Sequence, residues 1–108
     1  MSRYRLEYTL SAQREIEDAY LWIRESAPQA AEKWRDDLIA QIDLLGENPL
    51  RHPVAKESDK FPREIRMMLF RKRRSQFRIY YTVEKKRIVI LTVRRSARKP
   101  LDEDDLTG

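Results

Sequence analysis

The spacing of apolar residues along the chain changes from the two-residue repeat of a strand to the repeat of an amphipathic helix, and later changes back. Residues 4–10 alternate apolar and polar side chains, which predicts a half-buried strand. Across residues 12–23 the apolar side chains recur at intervals of three and four, and a second stripe with the same spacing covers residues 31–45. The first half of the chain therefore predicts one strand followed by two helices.

The residues at the ends of the two helices predict how the helices pack. Ser11 is predicted to cap the first helix, because its hydroxyl can accept a backbone N–H, and Pro28 suits the first turn of the second. Gly46 is predicted to end the second helix in the left-handed conformation, and Pro49 prevents its continuation. Two amphipathic helices joined by about three residues must pack as an antiparallel hairpin.

The two tryptophans are predicted to differ in environment. Trp34 falls on the apolar stripe of the second helix, which predicts a core position. Trp22 lies beside the stripe of the first helix and is predicted to border an interface.

Three further strands are predicted over residues 65–70, 77–83 and 88–93, with turns at 72–75 and 84–87. Residues 49–62 contain three prolines and several charges, and form a connector without clear periodicity. The order β-α-α-β-β-β predicts an α+β domain of two layers, with a helical hairpin on one face of a mainly antiparallel sheet. We expect a single domain over residues 1–99 and an acidic tail over residues 100–108.

Positive charge is concentrated in the strand region. Residues 61–99 contain fourteen Lys or Arg and two acids, whereas residues 1–60 contain nine bases and twelve acids. This segregation produces a focused positive field that attracts polyanions or an acidic partner. The chain has no cysteine and no apolar run of membrane-spanning length, so we expect a cytoplasmic protein that does not bind membranes. With one histidine and two glycines, no metal site, phosphate loop or cofactor is expected.

The candidate functional residues are the polar residues of the strands and of the adjoining turns. If the neighbouring apolar residues of the strand 77–83 face the helices, Arg78 and Tyr80 face away from them. Arginine can pair bidentately with phosphate or carboxylate, and an exposed tyrosine can stack on a base. The alternative is a solvated charged face, above all for residues 71–74. The residues predicted to bind a target or polyanion on or beside an open face of the sheet are Arg66, Arg71, Lys72, Arg73, Arg74, Arg78, Arg94, Arg95 and Arg98.

Several segments, taken in order, resemble the ParE/RelE toxin superfamily. They are Ser-Ala-Pro-Gln-Ala-Ala at 26–31, Ile-Asp-Leu-Leu-Gly-Glu-Asn-Pro at 42–49, Ile-Arg at 65–66, Phe-Arg-Ile-Tyr-Tyr-Thr-Val at 77–83 and Ile-Val-Ile-Leu-Thr-Val at 88–93, followed by Ser-Ala-Arg at 96–98. The likeness covers residues 4–99. It implies the two-layer fold and a toxin of a type II toxin–antitoxin module, silenced by a protein antitoxin whose C-terminal segment wraps the toxin.

The resemblance implies two possible targets. RelE-like members cleave mRNA on the ribosome with Lys, Arg and often a C-terminal Tyr or His, whereas ParE-like members poison DNA gyrase without being nucleases. Met68 stands where a RelE-type strand places a catalytic lysine, and no Tyr or His follows the last strand. Arginine is a poor proton acceptor or donor in catalysis. The residues on which an RNase would depend are Arg66, Arg78, Tyr80, Tyr81 and Arg98.

These departures favour the ParE-like interpretation, as do the long helical hairpin and its Ser-Ala-Pro turn. The expected function is a toxin that inhibits DNA gyrase by binding and is neutralised by a cognate antitoxin. The antitoxin is expected to lie along the sheet or the hairpin and to cover apolar area there. The alternatives are a RelE-like, ribosome-dependent mRNA endonuclease and a basic nucleic-acid-binding domain.

Overall fold

The computed structural model describes residues 3–72 and 75–96. The elements are β1 (Arg5–Tyr8), α1 (Leu10–Ser26), α2 (Pro28–Asp43), short 3-10 helices at Leu44–Gly46 and Lys56–Lys60, β2 (Arg66–Lys72), β3 (Ser75–Glu84) and β4 (Arg87–Arg95).

The four strands form one sheet in the order β1-β4-β3-β2. The pairs β2–β3 and β3–β4 are antiparallel, while β1 runs parallel to β4. The predicted α+β class and the order β-α-α-β-β-β are therefore confirmed. The last three strands are longer than predicted, because Lys72 pairs with Ser75 and Glu84 pairs with Arg87. These four residues end strands, although the sequence predicts them in turns.

The two helices are joined by Ala27 alone and lie side by side. The Tyr20 hydroxyl donates to Glu32 at 2.7 Å, and the Arg35 guanidinium lies 4.0 Å from the carboxylate of Glu17. The second pair lies three residues further from Ala27 along both helices. The predicted antiparallel hairpin is therefore confirmed.

The main core lies between the helical hairpin and the sheet. Trp34 is only 2% exposed, and its ring centroid lies 6.4 Å from that of Phe70 and 5.1 Å from that of Phe77. Ile79 and Tyr81 belong to the same core, which confirms that alternate residues of β3 face the helices. The prediction that Trp34 is a core residue is also confirmed.

The connector, residues 49–62, covers part of the opposite face of the sheet. A second buried cluster forms there from Ala55, Ile65, Tyr80 and Leu91. The backbone fastens the connector to β2, because the N–H of Ala55 donates to the carbonyl of Ile65 at 2.8 Å and that of Met67 donates to Pro53 at 3.1 Å. The expectation of a wholly open face is therefore wrong where the connector lies.

The N-terminus of α1 is capped two residues earlier than predicted. Leu10 is the first helical residue, and the hydroxyl of Thr9 accepts the N–H of Ala12 at 3.0 Å. The same hydroxyl donates to the carbonyl of Leu91 on β4 at 2.8 Å. Thr9 therefore joins the helix start to the sheet, whereas Ser11, the predicted cap, lies inside the first turn.

Gly46 has a different role from the predicted left-handed stop. Its φ is not positive, and among the described residues only Lys85, in the β3–β4 turn, has a positive φ, of 53°. Tyr4 donates its N–H to the Gly46 carbonyl at 3.1 Å, and a Cβ on Gly46 would lie 3.0 Å from Nη2 of Arg3. A side chain at position 46 would therefore have to displace the Arg3 guanidinium, and glycine leaves room for the N-terminal segment.

The edge of β4 extends beyond the end of β1, which pairs only as far as Ile90. Helix α1 protects this edge with a carboxylate: Oε1 of Glu15 accepts the Thr92 hydroxyl at 2.6 Å and the Val93 N–H at 3.0 Å. Thr92 and Val93 are both buried, so these donors need an acceptor from the protein.

Replacing Glu15 with alanine will lower the free energy of unfolding by about 1–3 kcal/mol, because it leaves two buried donors without their acceptor. Glu15→Gln keeps an acceptor oxygen, and we expect a loss below about 1 kcal/mol. Urea denaturation of the two variants measures the difference. Equal losses would show that the negative charge, and not the acceptor, stabilises this edge.

Neither helix in the described part of the chain has the length and apolar character needed to cross a bilayer.

Candidate target-binding surface at the uncovered end of the sheet

The connector leaves one end of its sheet face uncovered, next to the β2–β3 turn. Arg78 pairs with Leu69 on β2 and with Arg94 on β4, so the three side chains share this face. Leu69 is 45% exposed, and the exposed Arg71 donates from Nε to Gln76 at 2.7 Å. The uncovered end of the sheet, as we call it, consists of Leu69, Arg71, Gln76 and Arg78. Arg94, which the sequence also predicts on this surface, is only 5% exposed, so the structure does not support that prediction.

Tyr80 does not belong to this exposed surface, although the sequence predicts it there. It is 1% exposed beneath the connector, and its hydroxyl donates to Glu57 at 2.9 Å. Burial raises the pKa of Tyr80 and the hydrogen bond to Glu57 adds to this, while a hydrogen bond from Arg78 acts in the opposite direction. The Tyr80 hydroxyl is thus held by the connector, and its ring is too buried to stack on a base.

Tyr81 is also inaccessible. Its side chain is 0% exposed on the helix side of the sheet, and its hydroxyl donates to the carbonyl of Pro49 at 2.8 Å. Burial raises its pKa. Met68, which stands where a RelE-type strand would carry lysine, is 2% exposed in the same core.

Arg66 lies under the connector and away from the uncovered end. Its guanidinium donates to the carbonyl of His52 at 2.7 Å and lies 3.0 Å from the carboxylate of Glu64. These contacts fasten the connector to β2, which is a structural role.

The cations Lys72 and Arg95 project to the helix side of the sheet. Nζ of Lys72 lies 2.6 Å from the carboxylate of Asp37 on α2, and this hydrogen bond lowers the pKa of Asp37. The guanidinium of Arg95 lies 4.4 Å from the ring centroid of Trp22 on α1. The predicted basic residues are therefore divided between the two faces of the sheet.

A groove of about 210 Å³ lies between α1 and the end of β4. Trp22 and Ala19 line it on the helix side, and Phe77 and Val93 line it on the sheet side. Trp22 is 52% exposed, and Leu21 beside it is 43% exposed. Exposed aromatic residues beside a groove are typical of protein–protein contacts. We call this the Trp22 groove.

Arg73, Arg74, Arg98 and the tail 100–108 lie outside the described residues. Within residues 3–72 and 75–96, no three His, Asp or Glu side chains lie close enough together to hold a metal ion.

The sequence interpretation missed a second cationic cluster. Arg3 and Arg5 lie beside Lys85, Lys86 and Arg87 at the end of the sheet opposite the uncovered end. The signals were present in the Arg3–Arg5 spacing and in the basic turn 84–87, but only the parallel pairing of β1 with β4 brings them together.

Residues 6–100 match the family described as the ParE toxin of the type II toxin–antitoxin system parDE. The chain belongs to the ParE toxin family. Among solved structures it is similar to one described as the chromosomal ParDE TA system from P. aeruginosa, with 22% sequence identity, a TM-score of 0.67 and coverage of 86% of this chain and 96% of that chain. That likeness shows the fold. No curated protein matches the sequence.

Membership of the ParE family confirms the predicted superfamily and the preference for its ParE branch. The chain is a ParE-like toxin of the type II toxin–antitoxin class.

Proposed function

We propose that this ParE-family toxin acts in the cytoplasm by binding DNA gyrase and inhibiting supercoiling, and that a cognate antitoxin neutralises it. The family match over residues 6–100 carries the proposal. The burial of Tyr80 and Tyr81 supports action by binding over RNA cleavage. Both hydroxyls already donate to protein acceptors, so neither can reach a substrate for proton transfer.

The surface proposed to contact gyrase is the uncovered end of the sheet. Arg71 and Arg78 supply positive charge there, and Leu69 supplies exposed apolar area between them. Arginine beside a partly exposed apolar residue is a common composition for the centre of a protein interface.

The surface proposed for the antitoxin is the Trp22 groove. Trp22 presents apolar area there that an amphipathic or extended antitoxin segment would cover.

Trp22→Ala will weaken antitoxin binding by about 30-fold, because tryptophans that a partner buries are among the side chains that contribute most to interface affinity. Calorimetric titration with the antitoxin encoded beside the toxin measures the change. Leu50→Ala is the matched control, since Leu50 is 60% exposed on the connector and away from the groove. Similar losses of antitoxin affinity in the two variants would show that the antitoxin does not bind in the Trp22 groove.

The test of the proposed function is induced expression without an antitoxin, followed by supercoiling and translation assays in extract. Growth arrest with inhibited supercoiling and intact mRNA is the expected result. Arrest with ribosome-dependent mRNA cleavage would overturn the proposal in favour of an RNase. Normal growth with folded protein would contradict toxin activity of this chain.

A further inference from the structure

An open groove of about 690 Å³ lies at the end of the sheet where β3 turns into β4. Its lining residues are Arg3, Arg5, Glu84, Lys85, Lys86 and Arg87. Five cations and one carboxylate give this lining a formal charge of +4. We call it the hairpin-end groove. It is distinct from the uncovered end of the sheet, from which it is separated by the length of β3.

The carboxylate in the groove is already engaged by arginines. The two oxygens of Glu84 accept from Arg63 and Arg87, each at 2.8 Å, and these hydrogen bonds, that of Arg87 first, hold the pKa of Glu84 below its ordinary range. Arg87 also donates to Glu7 at 2.9 Å. Arg63 and Glu7 thus complete a balanced network around Glu84 and Arg87, so the remaining cations of the groove dominate its field.

Backbone contacts place these remaining cations side by side. Arg5 donates its N–H to the carbonyl of Lys86 at 2.9 Å. Its guanidinium lies 3.6 Å from the carboxylate of Glu7, and its side chain is 79% exposed, so solvent weakens this ion pair. Lys85 occupies the turn itself, in the left-handed conformation with a φ of 53°, and lines the groove. Arg3 donates to the carbonyl of Asp43 at 2.7 Å, which anchors it beside the end of α2. The cations are therefore positioned by three separate segments of the fold.

We propose that the hairpin-end groove binds the phosphate backbone of duplex DNA. Lysine and arginine side chains make charge-assisted hydrogen bonds to phosphate oxygens, and such contacts position a protein on DNA without reading its sequence. This activity goes beyond gyrase binding and does not depend on it.

The lining favours duplex DNA over two other polyanions. Single-stranded nucleic acid is usually held by bases that stack on exposed aromatic rings. Beside this groove the ring of Tyr4 already faces Lys86, whose Nζ lies 5.1 Å from the ring centroid, so that face is not open to a base. An acidic protein segment would need apolar anchors for affinity, and every side chain that lines the groove is charged. The phosphates of a rigid duplex can be bound without exposed aromatic rings and without apolar anchors.

Fluorescence anisotropy with a short labelled DNA duplex tests the proposal, with KCl varied from about 50 to 200 mM. The site variant is Arg5→Gln/Lys85→Gln. The control is Arg14→Gln/Arg24→Gln, which removes the same charge from exposed positions of α1. The site variant should lose about tenfold in affinity, and its plot of log K against log salt should be shallower by about 1.8, since each lost phosphate contact removes about 0.9. The control should stay within about twofold of the wild-type chain.

Equal losses in the site variant and the control would overturn the proposal, because they would show a response to net charge alone. Tighter binding to single-stranded DNA, duplex RNA or polyglutamate than to duplex DNA would also overturn it, as would no binding at the lowest salt. Circular dichroism confirms that each variant folds. If the double variant does not, Lys85→Gln alone should reduce the salt slope by about 0.9. Gyrase is absent from the assay, so a failure of the proposed function leaves this result unaffected.

Discussion

Trp34→Ala will lower the free energy of unfolding by about 3–5 kcal/mol, the largest loss that we expect from a single substitution in this chain. The indole is 2% exposed and contacts Phe70 and Phe77 across the layer between α2 and the sheet. Its removal opens a cavity where the helical hairpin meets β2 and β3. A domain of this size has a total stability of about 5–15 kcal/mol, so the variant will be close to unfolding at growth temperature.

The second tryptophan supplies a matched control. Trp22→Ala removes the same side chain from a position that is 52% exposed, and we expect a loss below about 1 kcal/mol. Urea denaturation followed by far-ultraviolet circular dichroism compares the variants without relying on tryptophan fluorescence. Equal losses would contradict the assignment of Trp34 to the core and Trp22 to the surface.

This contrast shows what helical periodicity can predict. The position of Trp34 on the apolar stripe predicts its burial, which the structure confirms. Trp22, beside the other stripe, is 52% exposed, and its place at an interface stays a prediction. Strand periodicity succeeds in the same way, because it places Phe77 and Ile79 towards the helices and Arg78 away from them. The order of elements and the fold class follow from these local patterns.

Contacts between distant parts of the chain could not be predicted in this way. The two-residue repeat of β3 places Tyr80 on the face away from the helices, yet the connector covers it there. Residues 49–62 have no regular spacing of apolar residues from which their path could be predicted. Gly46 is explained by the approach of Arg3 and Tyr4, which are more than forty positions away in sequence. Thr9 caps α1, and its hydroxyl also donates to the Leu91 carbonyl on β4. The residues around Thr9 and Ser11 do not by themselves show which of the two is the cap.

The basic run of residues 61–99 illustrates the same limit for the candidate site. The sequence shows which segment is basic, but it does not show which of these cations share a surface of the folded chain. Arg66 binds the connector, Lys72 binds Asp37, and Arg95 stacks on Trp22, so these cations have structural partners. Arg71 and Arg78 remain at the uncovered end, and the β3–β4 turn forms a separate cationic groove with Arg3 and Arg5. Only the sheet order determines these groupings.

Substitutions at the uncovered end of the sheet should have the largest effect on toxin activity that we expect. Under the proposed function, Arg71→Ala/Arg78→Ala will raise the toxin concentration needed for half-inhibition of gyrase supercoiling by about 100-fold, because each lost charged contact at an interface costs about 1.4 kcal/mol or more. Arg14→Ala/Arg24→Ala, which removes two exposed cations from α1, should change that concentration by less than about twofold. A supercoiling assay with purified gyrase measures both variants.

Tyr80→Phe distinguishes binding from catalysis at the same surface. Arg78 acts electrostatically on the Tyr80 hydroxyl, which donates to Glu57, so the effect of losing Arg78 has to be separated from that of losing the hydroxyl. The phenylalanine variant removes the hydroxyl but keeps the buried ring, and a toxin that acts by binding should keep its inhibition within about threefold. A nuclease that uses this hydroxyl for proton transfer would lose about 100-fold or more in cleavage, together with the Arg78 variant. Loss of inhibition in Tyr80→Phe, with its fold intact, would therefore count against action by binding even if the arginine variants behave as expected.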